Sequence, residues 1–126
     1  MKDTVAAVFD DLEVGITLHD PETGEIVGVN SRLEELYGYS EAELRELTIA
    51  DYSAVDAGFT QERAERLIRA AAEGEPQSFE WQIERPDGER RWVRVRLALT
   101  ELDGEAHVIA EIQDISDRKQ REAVLA

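Results

Sequence analysis

The chain has 126 residues, 42% hydrophobic and 34% charged: enough for one buried core, too few for two, and nowhere near the roughly 20 consecutive apolar residues of a membrane span. Without cysteine it has no disulfide, thiolate metal site, cysteine nucleophile or cysteine-adduct photochemistry, and two well-separated histidines argue against structural zinc. The 29 Asp and Glu against 14 Lys and Arg leave a net charge of −15, which repels nucleic acid and anionic membrane and suits a high-salt cytoplasm, where screening removes self-repulsion.

The first residues lack a signal peptide's apolar stretch. Instead Val5, Val8, Phe9 and Leu12 recur at i, i+3, i+4 and i+7, the apolar face of a short helix over 4–12 with Asp10, Asp11 and Glu13 outward. Two strands are predicted next, Gly15–His19 and Ile26–Asn30, joined by a turn that Pro21 and Gly24 mark. Pairing Asp20 with Glu25 sets Leu18 opposite Val27 and Ile16 opposite Val29, so that all four share one face.

Ser31 opens a capping box ahead of a helix burying Leu33, Leu36 and Tyr37, with Gly38 as its C-cap. Ser40 and Glu43 form a second capping box before a short helix burying Leu44 and Leu47. Residues 48–59 have no clean period and are expected to be irregular or a single short turn. Thr60 caps the most regular helix, whose apolar stripe is Ala64, Leu67, Ile68, Ala71 and Ala72, and Gly74 ends it.

From Phe79 onward the period becomes two. The Asp103-Gly104 turn fixes a hairpin in which Leu99 faces Val108, Leu97 faces Ala110, Val95 faces Ile112 and Arg96 meets Glu111. In the preceding hairpin a two-residue turn at Asp87-Gly88 would set Trp81 beside Arg94. A three-residue or bulged loop that pairs Ile83 with Val93, Trp81 with Val95 and Glu80 with Arg96 keeps the faces separate and is preferred. It yields a polar row Glu80–Arg96–Glu111. Beyond Asp114 the chain leaves the sheet, and Asp117 with Gln120 caps a final helix. About ten residues are marginal as an isolated helix, so it is expected to continue in a longer protein as a lever or coiled coil. The organisation is a cap helix over 1–13, a core over 14–116 and the start of an output helix over 117–126.

Four strings carry a family likeness: residues 20–30 (Asp-Pro-Glu-Thr-Gly-Glu-Ile-Val-Gly-Val-Asn), 37–44 (Tyr-Gly-Tyr-Ser-Glu-Ala-Glu-Leu), 85–93 (Arg-Pro-Asp-Gly-Glu-Arg-Arg-Trp-Val) and 114–119 (Asp-Ile-Ser-Asp-Arg-Lys). In this order and spacing they resemble a Per-Arnt-Sim (PAS) sensor domain with its C-terminal PAC segment, from about Leu12 to Lys119. The resemblance implies an α+β fold: a five-stranded antiparallel sheet in order 2-1-5-4-3, with helices on one face enclosing a pocket. It also implies a sensory signalling role, commonly within histidine kinases or related transducers. Asp114-Ile115-Ser116 matches the family's Asp-Ile-Thr motif, with Ser keeping the hydroxyl, and by that resemblance joins the last strand to the output helix. Branches with known cofactors fit poorly. The flavin photosensors use a reactive cysteine, and haem binders place a histidine on the long helix, where Thr60–Glu73 has none. Any cofactor is left unidentified. The expected partners are an effector in the same polypeptide, such as a histidine kinase, and a second copy of the chain.

The face expected to line the pocket comprises Ile16, Leu18, Val27, Val29 and Leu36, then Leu67, Trp81 and Ile83, and finally Val95, Leu97, Ala110 and Ile112. The small Ala110 and Gly28 favour space there. Such a lining suits a small aromatic or heterocyclic ligand held by one or two hydrogen bonds, for which Tyr52, Ser53 and Thr17 are the candidates. The alternative is a filled core in a structural dimerisation module. His19 and His107 are candidate pH switches, although strand-end histidines are more commonly surface residues. Arg90, Arg91, Arg94 and Arg96 around Trp92 form a stripe of nucleic-acid type, yet Glu80, Glu84 and Glu111 lie beside it, and a charge-balanced outer face is the better reading. Trp92, Ala98, Ile109 and Ile115 make that face too apolar for bare solvent, so the helix over 4–12 or a second subunit is expected to cover it. No Ser-His-acid spacing, phosphate loop or metal-binding triad points to catalysis. A small isomerase or hydratase would need a buried acid or base that the expected inner face lacks.

Overall fold

Residues 14–125 are described by a computed structural model, and the helix expected over 4–12 lies outside them. The chain forms strands β1 (Gly15–His19) and β2 (Ile26–Val29), helices α1 (Ser31–Tyr37) and α2 (Glu41–Glu46), 3-10 turns at Ile49–Tyr52 and Val55–Ala57, and helix α3 (Gln61–Ala72). Strands β3 (Gln77–Glu84), β4 (Arg90–Leu102) and β5 (Glu105–Asp114) follow, and α4 (Ser116–Leu125) leaves the sheet. The five strands make one antiparallel sheet in the order β2-β1-β5-β4-β3, as the resemblance implies. Among the described residues no helix is long and apolar enough to cross a membrane.

Each of the first three helices starts where a short polar side chain takes up an orphan backbone N–H. For α1 that residue is Asn30, not the expected Ser31. Asn30 Oδ1 accepts from Leu33 N–H at 3.0 Å and from Ile16 N–H at 2.9 Å, while Nδ2 donates to the Val14 carbonyl at 2.9 Å. The amide's oxygen and nitrogen, on a longer arm than a serine hydroxyl and set apart from each other, cap the helix and tie it to β1 at once. The approach is close enough that a Cβ added at Gly15 would sit 2.9 Å from Leu33 Cδ2 and 3.2 Å from its Cα. Gly38 ends α1 at φ +80°, and the Arg85 guanidinium donates to the carbonyls of Glu35 and Leu36 there. Ser40 and Glu43 form the expected capping box of α2, and Thr60 caps α3.

The β4–β5 hairpin has the register read from its turn, Leu99 with Val108, Leu97 with Ala110, Val95 with Ile112 and Arg96 with Glu111. Asp103 and Gly104 both take positive φ, +52° and +78°, as a two-residue loop of this kind requires. The other two hairpins depart from expectation. In β3–β4, Trp81 pairs with Val93, Ile83 with Arg91 and Glu80 with Arg94. The loop closes through Arg85 N–H to Glu89 O at 2.8 Å, leaving Pro86, Asp87 and Gly88 outside the ladder. Pro86 has no N–H to offer a ladder, and Gly88 supplies φ +89°, so the loop settles there. The partners move by two residues, which keeps every side chain on its expected face; the polar row becomes Glu80–Arg94–Gln113.

In β1–β2 the turn-end bond from Asp20 N–H to Glu25 O forms at 2.9 Å, but an irregularity between Leu18 and His19 shifts the register by one residue. Leu18 faces Gly28 and Thr17 faces Val29. Across the other edge Thr17 pairs with Ala110 and Ile16 with Glu111, so Thr17 and His19 point to the helix-covered face and Ile16 and Leu18 to the opposite one. The expected assignment of faces in β1 is therefore inverted. All five β1 residues are buried, Ile16 at 2% and Leu18 at 0% exposure, so there is no polar face for alternation to report.

Candidate functional site

Helices α1 to α3 and the Ile49–Tyr52 turn cover the inner face of the sheet and leave an apolar cavity of about 70 Å³. Six residues expected to line it do so: Tyr52, Trp81, Val95, Leu97, Ala110 and Ile112. Ala110 is the small residue among larger neighbours that the sequence pointed to. Thr17, expected as a polar anchor, also lies in the wall. The remaining expectations fall elsewhere. Ile16 and Leu18 lie on the opposite face of β1. Val29, Leu36 and Ile83 are buried in the core without reaching the cavity, and Val27 and Leu67 are half-buried away from it. Ile83 instead bridges Ser53 at the outer edge of β3.

The wall residues that sequence reasoning did not place there come mostly from the helices: Leu33 and Tyr37 of α1, Leu44 of α2, Ala64 and Ile68 of α3. Their apolar periodicity marked them as core, which is half the signal. What periodicity omits is how far each helix stands off the sheet. His19, Ile26, Ile49 and Phe79 complete the wall.

His19 corrects two expectations, since it is neither a surface residue nor outside the inner face; it is 5% exposed, and His107 is buried too. Its Nδ1 lies 2.9 Å from the Gly24 carbonyl oxygen, which can only accept, so Nδ1 carries the proton. In the neutral ring Nε2 then accepts from the Thr17 hydroxyl at 2.8 Å. Burial holds the His19 pKa below the ordinary histidine value, and the Gly24 bond pulls weakly the other way. Both ring nitrogens are thus engaged, and the neutral His19–Thr17 pair gives the cavity a polar corner.

Two phenols form a second polar element. The Tyr37 and Tyr52 rings lie 5.4 Å apart, tilted by 57°. Burial pushes both hydroxyls well above the ordinary tyrosine value, with each further raised by a neighbour: Tyr52 for Tyr37, Asp51 for Tyr52. They stay protonated and able to donate. Ser53, expected as a ligand anchor, is engaged instead: its Oγ accepts Trp81 Nε1–H at 3.0 Å and donates to the Ile49 carbonyl at 2.7 Å. That pair fixes the Trp81 ring in the wall.

On the far face the last strand hands over to α4. Ile115 N–H donates to Trp92 O at 2.9 Å, Ser116 Oγ accepts Trp92 N–H at 2.9 Å, and Asp114 Oδ1 accepts Ser116 N–H at 2.9 Å. Asp114 Oδ2 lies 3.6 Å from Arg91 Nη1. The hydroxyl that Ser116 retains is therefore in use, holding the start of α4 to β4. A residue not foreseen as part of this junction is Glu80 of β3, whose Oε2 accepts from Arg118 at 2.7 Å and Arg94 at 3.3 Å, with Lys119 Nζ 2.5 Å from Oε1. Lys119 also sits 4.7 Å from the centroid of the Trp92 ring. The basic stripe is balanced here by acids, with Arg90 bound to Glu84 and Asp56 and Arg91 to Glu89.

A family model described as PAS domain matches residues 13–117. No curated protein matches the sequence. Among solved structures, the PAS domain of an HTR-like protein from Haloarcula marismortui is 28% identical, with 90% of each chain covered and a TM-score of 0.69. A domain of the sensory box sensor histidine kinase/response regulator from Geobacter sulfurreducens is 24% identical over 83% of this chain and 87% of that one, with a TM-score of 0.65. The Rhodobacter sphaeroides LOV protein is 20% identical over 98% of this chain and 72% of its own, with a TM-score of 0.73. The last two likenesses are of fold alone.

Proposed function

This chain belongs to the PAS-domain family, and from that premise we propose that it is a sensory module that takes a small, partly apolar ligand behind its sheet and passes the resulting shift through α4 to an effector such as a histidine kinase. The observation that carries the reading is the apolar cavity with its few polar groups, the His19–Thr17 pair and the two tyrosines, bounded by the same sheet that holds α4 on its other face. A ligand that favours one of two sheet positions would shift the strand ends, and Asp114, Ile115 and Ser116 would carry that shift into the helix.

The cavity's size limits the ligand. About 70 Å³ is under half of the roughly 150 Å³ of an engineered cavity that holds benzene, so a ring enters only if side chains yield or part of it protrudes. The same small volume supports a second reading, a structural dimerisation module whose core is close to filled.

Native mass spectrometry of protein purified without additives, together with an Ala110→Leu variant, separates the two. The sensor reading expects a bound small molecule that Ala110→Leu expels. No bound molecule, no fragment that raises the melting temperature at high excess, and an Ala110→Leu variant destabilised by overpacking would favour the structural module.

A further inference from the structure

Beside the apolar cavity lies a larger recess of about 610 Å³, and His19, Ile26, Leu44, Ile49, Tyr52 and Ile68 line both. The recess is walled by the β1–β2 turn, the end of α2 with residues 47–49, and one side of α3. Its character differs from that of the cavity. Four carboxylates line it, Glu22, Glu25, Glu46 and Glu65, against two guanidiniums, Arg45 and Arg69. Arg45 is already held by Glu41 at 3.3 Å and by the Val27 carbonyl. The local balance is therefore negative, inside a chain that is itself at −15.

Tyr52 stands on the boundary between the two spaces. It is 6% exposed, and its hydroxyl has no hydrogen-bond partner among the described residues. Yet among the described residues it is not a polar atom sealed from solvent, so the hydroxyl reaches accessible space. A buried phenol left open in this way is a group awaiting a ligand or a water.

We propose that the ligand is an amphipathic amine: its short apolar body occupies the cavity, its ammonium group lies in the recess among Glu22, Glu25, Glu46 and Glu65, and the Tyr52 hydroxyl bonds to it where the two spaces meet. This rests on the reading that the cavity takes a ligand, and a short alkyl body suits a cavity too small for a whole ring. The apolar end supplies burial, and the charge supplies selectivity against anions of the same shape.

Three probes on one short alkyl scaffold test the assignment: butylamine, 1-butanol and butanoate, titrated calorimetrically into the full chain at 0.1 M and 2 M KCl. A separate xenon NMR experiment asks whether the cavity admits an apolar guest at all. At 0.1 M KCl the amine is expected to bind about tenfold tighter than the alcohol and the carboxylate weakest, with the preference shrinking in 2 M KCl. A Glu46→Gln/Glu65→Gln double variant is expected to lose several-fold in amine affinity and to leave the alcohol unchanged. Equal binding of amine and alcohol, tighter binding of butanoate, or an amine preference that survives the double variant overturns the assignment and leaves the cavity reading standing. Failure of all three probes overturns it as well; if xenon also stays out, the cavity reading falls with it.

Discussion

Replacing Glu80 by Gln keeps the side chain's shape and removes the charge that three cations share. Two of them, Arg118 and Lys119, belong to α4, and the third, Arg94, is the cross-strand neighbour of Glu80. The carboxylate side chain is 31% exposed, so each pair is screened and taken singly contributes only about 0.2–1 kcal/mol. Because one acceptor serves all three, the sum is not additive, and a total of about 1 kcal/mol is the working figure. Spread over the whole domain that is a small effect. Applied to the docking of one short helix it changes the undocking equilibrium about fivefold. Hydrogen exchange at pH 7 and low salt should therefore show α4 amides from Lys119 onward exchanging about fivefold faster in Glu80→Gln, with β4 and β5 unchanged. The pH dependence carries a matching sign. The Lys119 ammonium above all, then Arg118, holds the Glu80 carboxyl below its ordinary range, so the folded value is the lower one. Its contribution is complete above the unfolded value of about 4.3 and is lost as pH falls through the folded value. Acid should then loosen α4 in the parent as Gln does at neutrality. Unchanged α4 exchange in the variant would refute the role given to Glu80.

Other expectations rest on the same geometry. Asn30→Ala removes a helix cap and strands the buried Ile16 N–H, so urea unfolding should show a loss of about 2–4 kcal/mol; a loss below about 1 kcal/mol would mean another group takes over both bonds. His19 has a folded pKa below its unfolded value near 6.5, so stability should decline as pH drops beneath about 6.5 and continue falling to the folded value. His19→Asn should flatten that part of the curve, and an unchanged slope would assign it to other groups. With a net charge of −15, the thermal midpoint should rise between 0.1 M and 2 M KCl; a flat or falling midpoint would remove the case for a salt-rich setting.

The parts of the fold that sequence made legible are those where one local rule has a single solution. Asp103-Gly104 tolerates positive φ at both positions and is flanked by strands with one apolar face each, so turn and pattern demand the same register. The Ala64, Ile68, Ala71 stripe works likewise, because α3 has one buried side. β1 is the opposite case. With Ile16 and Leu18 buried on one face and Thr17 and His19 on the other, hydrophobicity assigns the wrong pair to the cavity; Thr17 is expected there as a polar anchor, but the histidine reads as a surface residue because it is polar. Their burial is stabilised by each other and by the Gly24 carbonyl, a partnership that only the bulged β1–β2 turn creates. The β3–β4 loop went astray by less, since moving the ladder two residues leaves the faces intact. Glu80 was legible as a cross-strand acid, but its ties to Arg118 and Lys119 depend on the direction in which α4 leaves β5, which no local pattern encodes.

The central claim is that a guest behind the sheet is felt by the helix in front of it. NMR on the full chain, labelled at the Ala110 and Ile112 methyls and at the amides of residues 116–119, observes both ends at once during titration with small amines and neutral aromatics. At least one compound should shift the Ala110 methyl and the residue 116–119 amides in parallel, with one shared dissociation constant. A compound that saturates the Ala110 shift while those amides stay still would contradict the account.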